Sequence, residues 1–140
     1  MISYGEIFNP GSNPSGNQGQ NKPQALIIDD EADICYLLKG ILRQKNVNAD
    51  YAGSLAEGKE FLRHNDPAII FLDNHLPDGF GLDHIREFKE ANPSSKLVMI
   101  TAHDTFMDRE KAYGQGVDYF IGKPFTRDII IKTLERIVGV

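Results

Sequence analysis

Apolar residues along this chain come in two rhythms. "ALII" (25–28), "AIIFL" (68–72) and "LVMI" (97–100) are short runs with no polar residue inside them. Runs that short and continuous predict strands covered on both faces, as in a parallel sheet. "VNADYA" (47–52) and "VDYFI" (117–121) are weaker strand candidates and predict places nearer the sheet edges. Between the runs the spacing becomes helical. Ile34, Leu37, Leu38, Ile41 and Leu42 fall on one helical face, and Ile130, Thr133, Leu134, Ile137 and Val138 on another. Ser54 with Glu57 three residues later has the pattern of a capping box and predicts a helix over 54–64. Further helices are predicted over 82–91, ended by "NPSS", and over 104–115, closed by Gly114 and Gly116. Thr126 is placed to cap a fifth.

Five strands alternating with five helices predict an α/β fold: right-handed crossovers and a doubly wound, five-stranded parallel sheet. Ligands of such sheets bind beyond the carboxyl ends of the strands. Candidate chemistry should therefore lie just after each apolar run. The first run ends in Asp29-Asp30, followed by Glu31; the third strand ends in Asp73; the fourth in Thr101; and the fifth leads into Lys123-Pro124-Phe125. Each alone has a plain structural explanation. An acidic pair after a strand often caps the next helix, a lone Thr is usually packing, and "KPF" makes an ordinary turn. Together, at successive strand ends, they form a carboxylate cluster with a hydroxyl and an ammonium. Clustered carboxylates repel, which calls for a divalent cation or a raised pKa. Oxygen donors without neighbouring His or Cys favour Mg²⁺ over zinc. Such a set has the parts for phosphoryl transfer: a carboxylate to attack, a metal to neutralise charge, and Lys and Thr to hold the remaining oxygens.

Composition narrows the setting. A net charge of −5 argues against a general nucleic-acid binder. No apolar run is long enough to span a bilayer, and the N-terminus lacks the basic-then-apolar order of a secretory signal. Cys35 is the only cysteine, which fits a reducing cytosol, and its place in a helical apolar pattern predicts a packed core thiol. Residues 1–22, with "NPGSNPSGNQGQNK", hold too few apolar groups to offset ordering entropy and are expected to be a flexible leader or linker before a domain at 23–140.

"LIIDD", "FLDNHLPDGFG", "VMITA" and "VDYFIGKPF", in this order and spacing, resemble the receiver domain of two-component response regulators, the CheY-like family. The resemblance covers about residues 24–139 and implies a flavodoxin-like sheet in strand order 2-1-3-4-5. It implies that Asp73 is the phospho-acceptor. Asp30 would bind Mg²⁺ directly, Asp29 directly or through water, and Asp73 and the backbone carbonyl of His75 would complete the protein ligands. Thr101 and Lys123 would each hold a phosphoryl oxygen. Thr101 and Phe120 would form the switch, although many relatives carry Tyr where this chain has Phe120. Tyr119 should point to the opposite face. His75 and His103 stand at positions that tune access to the phosphoryl group. The implied partners are a histidine kinase or histidine phosphotransfer protein and a downstream protein or attached domain. The latter would be met by the face formed by helix 4, strand 5 and helix 5, without direct nucleic-acid or membrane contact. The implied protein is a cytoplasmic signalling switch with no separate substrate turnover.

Two other function classes compete. A phosphatase resembling the haloacid dehalogenase superfamily uses similar groups but wants its nucleophile after the first strand, with a second Asp two residues on. Here Asp73 follows the third strand and His75 stands in the second place. An interaction module independent of phosphorylation would not require the acidic pair, Asp73, Thr101 and Lys123 together. Whether the chain is a stand-alone receiver or a piece of a longer regulator or hybrid kinase stays open at this level.

Overall fold

The two rhythms resolve into alternating strands and helices in a computed structural model that describes residues 22–139. The expected leader, apart from Lys22, lies outside the described residues. In chain order the elements are β1 (Gln24–Ile28), α1 (Ala32–Gln44), β2 (Asn48–Ala52), α2 (Leu55–Leu62) and β3 (Ile69–Leu72). Then follow α3 (Ile85–Ala91), β4 (Lys96–Thr101), α4 (Phe106–Gln115), β5 (Tyr119–Gly122) and α5 (Arg127–Val138). All strand pairings in the main sheet are parallel, in the order β2-β1-β3-β4-β5. The two weaker strand candidates are its edges.

Alternating strand residues face two apolar layers. Ala25, Ile27, Ile69, Phe71, Val98 and Ile100 pack with α1 and α5, where Cys35, Leu38, Ile41, Leu42, Ile130 and Leu134 close the layer. Leu26, Ile28, Ile70, Leu72, Leu97 and Met99 pack on the other side with Leu55 of α2, Ile85 and Phe88 of α3 and Ala112 of α4. Each buried side chain of this size contributes about 1.5–3 kcal/mol of transfer free energy. Tyr119 joins the first layer and Phe120 the second, as strand alternation requires. Cys35 is buried; burial, then the charge of Asp29, pushes its thiol up to about 11, which suits a packing role.

Two helix starts differ from the sequence pattern. The third helix was expected from Leu82, but residues 81–83 form a 3-10 turn and α3 begins at Ile85. The reason is local. Gly81 N–H donates to Asn74 O (2.8 Å) and Leu82 N–H to Asn74 Oδ1 (2.9 Å), tying this segment to the end of β3. The loop before it contains a two-residue-per-arm hairpin, His75–Leu76 with Gly79–Phe80, that no periodicity announces. Helix α4 starts at Phe106, not Asp104, because Thr105 is its N-cap and its Oγ1 accepts from Asp108 N–H (3.1 Å). At α2 the capping box forms with a variation. Ser54 Oγ accepts from Glu57 N–H (3.1 Å), while Glu57 Oε1 accepts from Gly53 N–H (2.9 Å) instead of from the cap residue. The remaining leading amides, Leu55 and Ala56, donate to the Asp78 carboxylate at 2.9 Å each. Asp78 therefore staples the loop after β3 to the N-terminus of α2, and those bonds hold its carboxyl below the usual range.

Candidate functional site

Parallel strands bring every candidate to one edge. Asp29 and Asp73 leave the neighbouring strands β1 and β3, with Asp29 N–H donating to Ala52 O (3.0 Å) and Asp73 N–H to Ile28 O (2.9 Å). Both side chains are buried, Asp30 is exposed, and one carboxylate oxygen from each of the three lies within 4.8 Å of the others. These are hard oxygen donors of high negative charge at short separation, a set that suits a divalent cation such as Mg²⁺. Neither residue of the acidic pair is the cap of α1. Glu31 is the N-cap of α1 but makes no side-chain cap bond, and Asp29 Oδ1 accepts from Glu31 N–H (2.9 Å).

Lys123 crosses this cluster from β5. Its backbone N–H donates to Thr101 O (2.8 Å), and its Nζ lies 2.9 Å from Asp29 Oδ2, 2.9 Å from Glu31 Oε1 and 3.5 Å from Asp73 Oδ1. Burial alone would lower the pKa of this ammonium; the hydrogen bonds to Asp29 and Glu31 and the charge of Asp73 outweigh it, and the net shift is upward. Asp73 shows the opposite balance. Burial, then the charge of Asp29, pushes its carboxyl up to about 6 against the pull of Lys123 and of Asn74 N–H. The raised pKa anticipated for a carboxylate cluster thus settles on the central aspartate.

Thr101 is buried, and its Oγ1 accepts from His103 N–H (3.1 Å). The His103 and His75 rings lie with centroids 4.3 Å apart, and Phe80 meets His75 edge-on at 5.4 Å. The two histidines therefore form one aromatic rim. Phe120 is buried with the guanidinium of Arg109 over its ring at 4.8 Å. Arg109 is in turn held by a two-point ion pair with Asp104, which keeps that carboxyl below its usual range. Asp104 fits because position 122 has no side chain: a Cβ at Gly122 would lie 2.6 Å from Asp104 Oδ2. Behind the central aspartate, Gly81 packs its Cα against the Asp73 carbonyl so closely that any Cβ would collide with that carbonyl and with Leu72.

Sequence reasoning found Asp29, Asp30, Asp73, Thr101 and Lys123, and the fold gathers them on one edge. It gave Glu31 no role, although Glu31 stands two residues past Asp29 in an acidic run and contacts Lys123. It also missed Asn74 and Asp78, where an Asx residue beside a strand end was the available signal. Arg109 lies in a helix with no marking in the pattern.

A doubly wound parallel sheet with an acidic cluster, a lysine and a buried threonine at its carboxyl edge defines the receiver class of signalling domain. A model of the response regulator receiver domain matches residues 25–135, and the chain belongs to that family. It is a domain of phosphorylation-based two-component signalling. The probable transcriptional regulatory protein TcrX of Mycobacterium tuberculosis is 28% identical over 113 residues, covering 81% of this chain and 48% of that protein. The response regulator protein PilR of Pseudomonas aeruginosa is 32% identical over 104 residues, covering 74% of this chain and 23% of that one. The chain thus spans about half the length, or less, of these curated relatives. Among solved structures, a two-component response regulator from Clostridium difficile superposes with a TM-score of 0.80 at 26% identity, covering 84% of this chain and 97% of that one. Among the described residues, no helix is long and apolar enough to cross a membrane.

Proposed function

We propose that the chain accepts a phosphoryl group on Asp73 from a phosphohistidine of a histidine kinase or phosphotransfer protein, with Mg²⁺ at Asp29, Asp30, Asp73 and the His75 carbonyl. The convergence of these three carboxylates under Lys123 is the observation that carries the reading. Asp73 Oδ attacks phosphorus, the P–N bond to the donor imidazole breaks, and an acyl phosphate forms. Bound Mg²⁺ supplies neutralisation of the charge shared by the acidic cluster and the incoming group. Lys123 and Thr101 hold two phosphoryl oxygens. His75 and His103, as the rim beside Asp73, tune the entry of water, and His75→Ala changes the lifetime of the phosphorylated state.

Hydrolysis resets the domain, which is a switch without separate substrate turnover. Thr101 and Phe120 transmit the state to the face of α4, β5 and α5. There a depression of about 460 Å³, lined by Arg109, Tyr113, Phe120, Phe125 and Ile129 among others, supports docking of a downstream protein or attached domain. We place the receiver unit at 23–140, a leader or linker at 1–22, and the protein in the cytoplasm, on the sequence features described above. Incubation with Mg²⁺ and acetyl phosphate, followed by intact-mass measurement, tests the assignment. Wild type gains one phosphoryl group and Asp73→Asn gains none; an adduct on both, or on neither, overturns it.

A further inference from the structure

Lys123 is the group proposed to hold a phosphoryl oxygen, yet three carboxylates already lie close to its ammonium: Asp29 and Glu31 at 2.9 Å and Asp73 at 3.5 Å. Two of these three belong to the oxygen cluster suited to a divalent cation; Glu31 does not. Once the aspartates are committed to the cation, their hold on the ammonium weakens and Glu31 keeps its own. The Lys123 side chain is 11% exposed and that of Glu31 61%, so Glu31 meets the lysine from the solvent side. That is also the side from which an anionic donor must arrive. A phosphoryl oxygen therefore has to compete with Glu31 for the same ammonium protons. We infer that Glu31 is a positioning residue that restrains Lys123 and slows phosphorylation of the domain.

This rests on the assignment of Asp73, and two measurements on the full chain separate the two ideas. Glu31→Gln removes the charge, keeps the shape and leaves α1 intact, because the Glu31 side chain makes no cap bond. An ion pair open to solvent on its carboxylate side is weak, so its release quickens phosphorylation by about 1.5- to fivefold at saturating Mg²⁺ and acetyl phosphate. A role limited to gathering negative charge for the cation predicts the opposite sign at sub-saturating Mg²⁺ and no change at saturation. Unchanged or slower phosphorylation at saturation overturns the inference. The second readout needs neither metal nor phosphate: acylation of Lys123 by an amine-reactive ester, read by peptide mass. Glu31→Gln raises labelling of Lys123 about twofold or more, in line with loss of an exposed partner, and equal labelling overturns the restraint. Raised labelling without any phosphoryl adduct on wild type upholds the restraint and sinks the Asp73 assignment.

Discussion

The two halves of the sheet's carboxyl edge are held in different ways. On one side Asp29, Glu31, Asp73 and Lys123 interlock above α1, and α1 buries Cys35, Leu38, Ile41 and Leu42. On the other side Thr101, His103 and Asp104 lead into α4, which buries Ala112 alone, exposes Phe106 and Met107, and sets Arg109 over Phe120 of β5. One half is therefore anchored by a deep apolar seam, while the helix of the other half buries one alanine and is tied to its neighbours by polar contacts, Arg109 over Phe120 and Lys111 to Asp83 (3.0 Å). Regions with few buried apolar contacts open locally at lower free energy than the core. The contrast teaches where the phosphorylation proposed for Asp73 would be expressed. Under the proposed mechanism the acid half would be fixed enough to keep reacting groups aligned, and α4 has little packing to lose on moving.

The largest expected effect lies in the seam. Leu38→Ala leaves a cavity under α1 and costs about 2–5 kcal/mol, whereas Met107→Ala on exposed α4 stays within about 0.5 kcal/mol. Urea unfolding measures both, and equal costs would break the contrast. A smaller effect comes from the charge that the acid half carries. The Asp73 carboxyl has an ordinary value of 3.8 and is raised to about 6 in the fold, so the folded state binds its proton more tightly than the unfolded chain. Stability from this group is thus fully present below about pH 4 and is lost as pH rises through about 6. Asp73→Asn should then be more stable than wild type at pH 7.5 by roughly 1–3 kcal/mol, with the advantage gone at pH 4. An advantage constant with pH would show that the strain is not ionic. The smallest effect sharpens the other half. Arg109→Ala removes the cover over Phe120 and costs about 1 kcal/mol or less. Amide exchange in α4 should quicken while that in α1 stays unchanged, and matched changes in both helices would deny α4 its looser attachment.

Much of this was legible in the sequence. Uninterrupted apolar runs mark strands buried on both faces, and a parallel sheet sends all their C-termini to one edge. Asp29, Asp73, Thr101 and Lys123 could therefore be brought together without coordinates. The loop after β3 was not legible in the same way. Its shape comes from Asn74 holding residues 81 and 82 and from Asp78 reaching back to α2, long-range bonds that leave no periodic trace. The pairing of Lys123 with Glu31 and the seating of Arg109 on Phe120 depend on how side chains from distant elements settle, which spacing along one chain does not encode. The start of α4 moved by two residues because Thr105 caps the helix through Asp108 N–H while Asp104, outside it, pairs with Arg109.

Gly81 bears on how a map of substitutions across this domain should be interpreted. Its backbone lies so close to the carbonyl of Asp73 that the smallest side chain there would push Asp73 out of place. In a saturation library selected for signalling, position 81 should tolerate as little as position 73. Biophysical sorting would then separate them: Asp73→Asn survives a folding screen that Gly81→Ala fails.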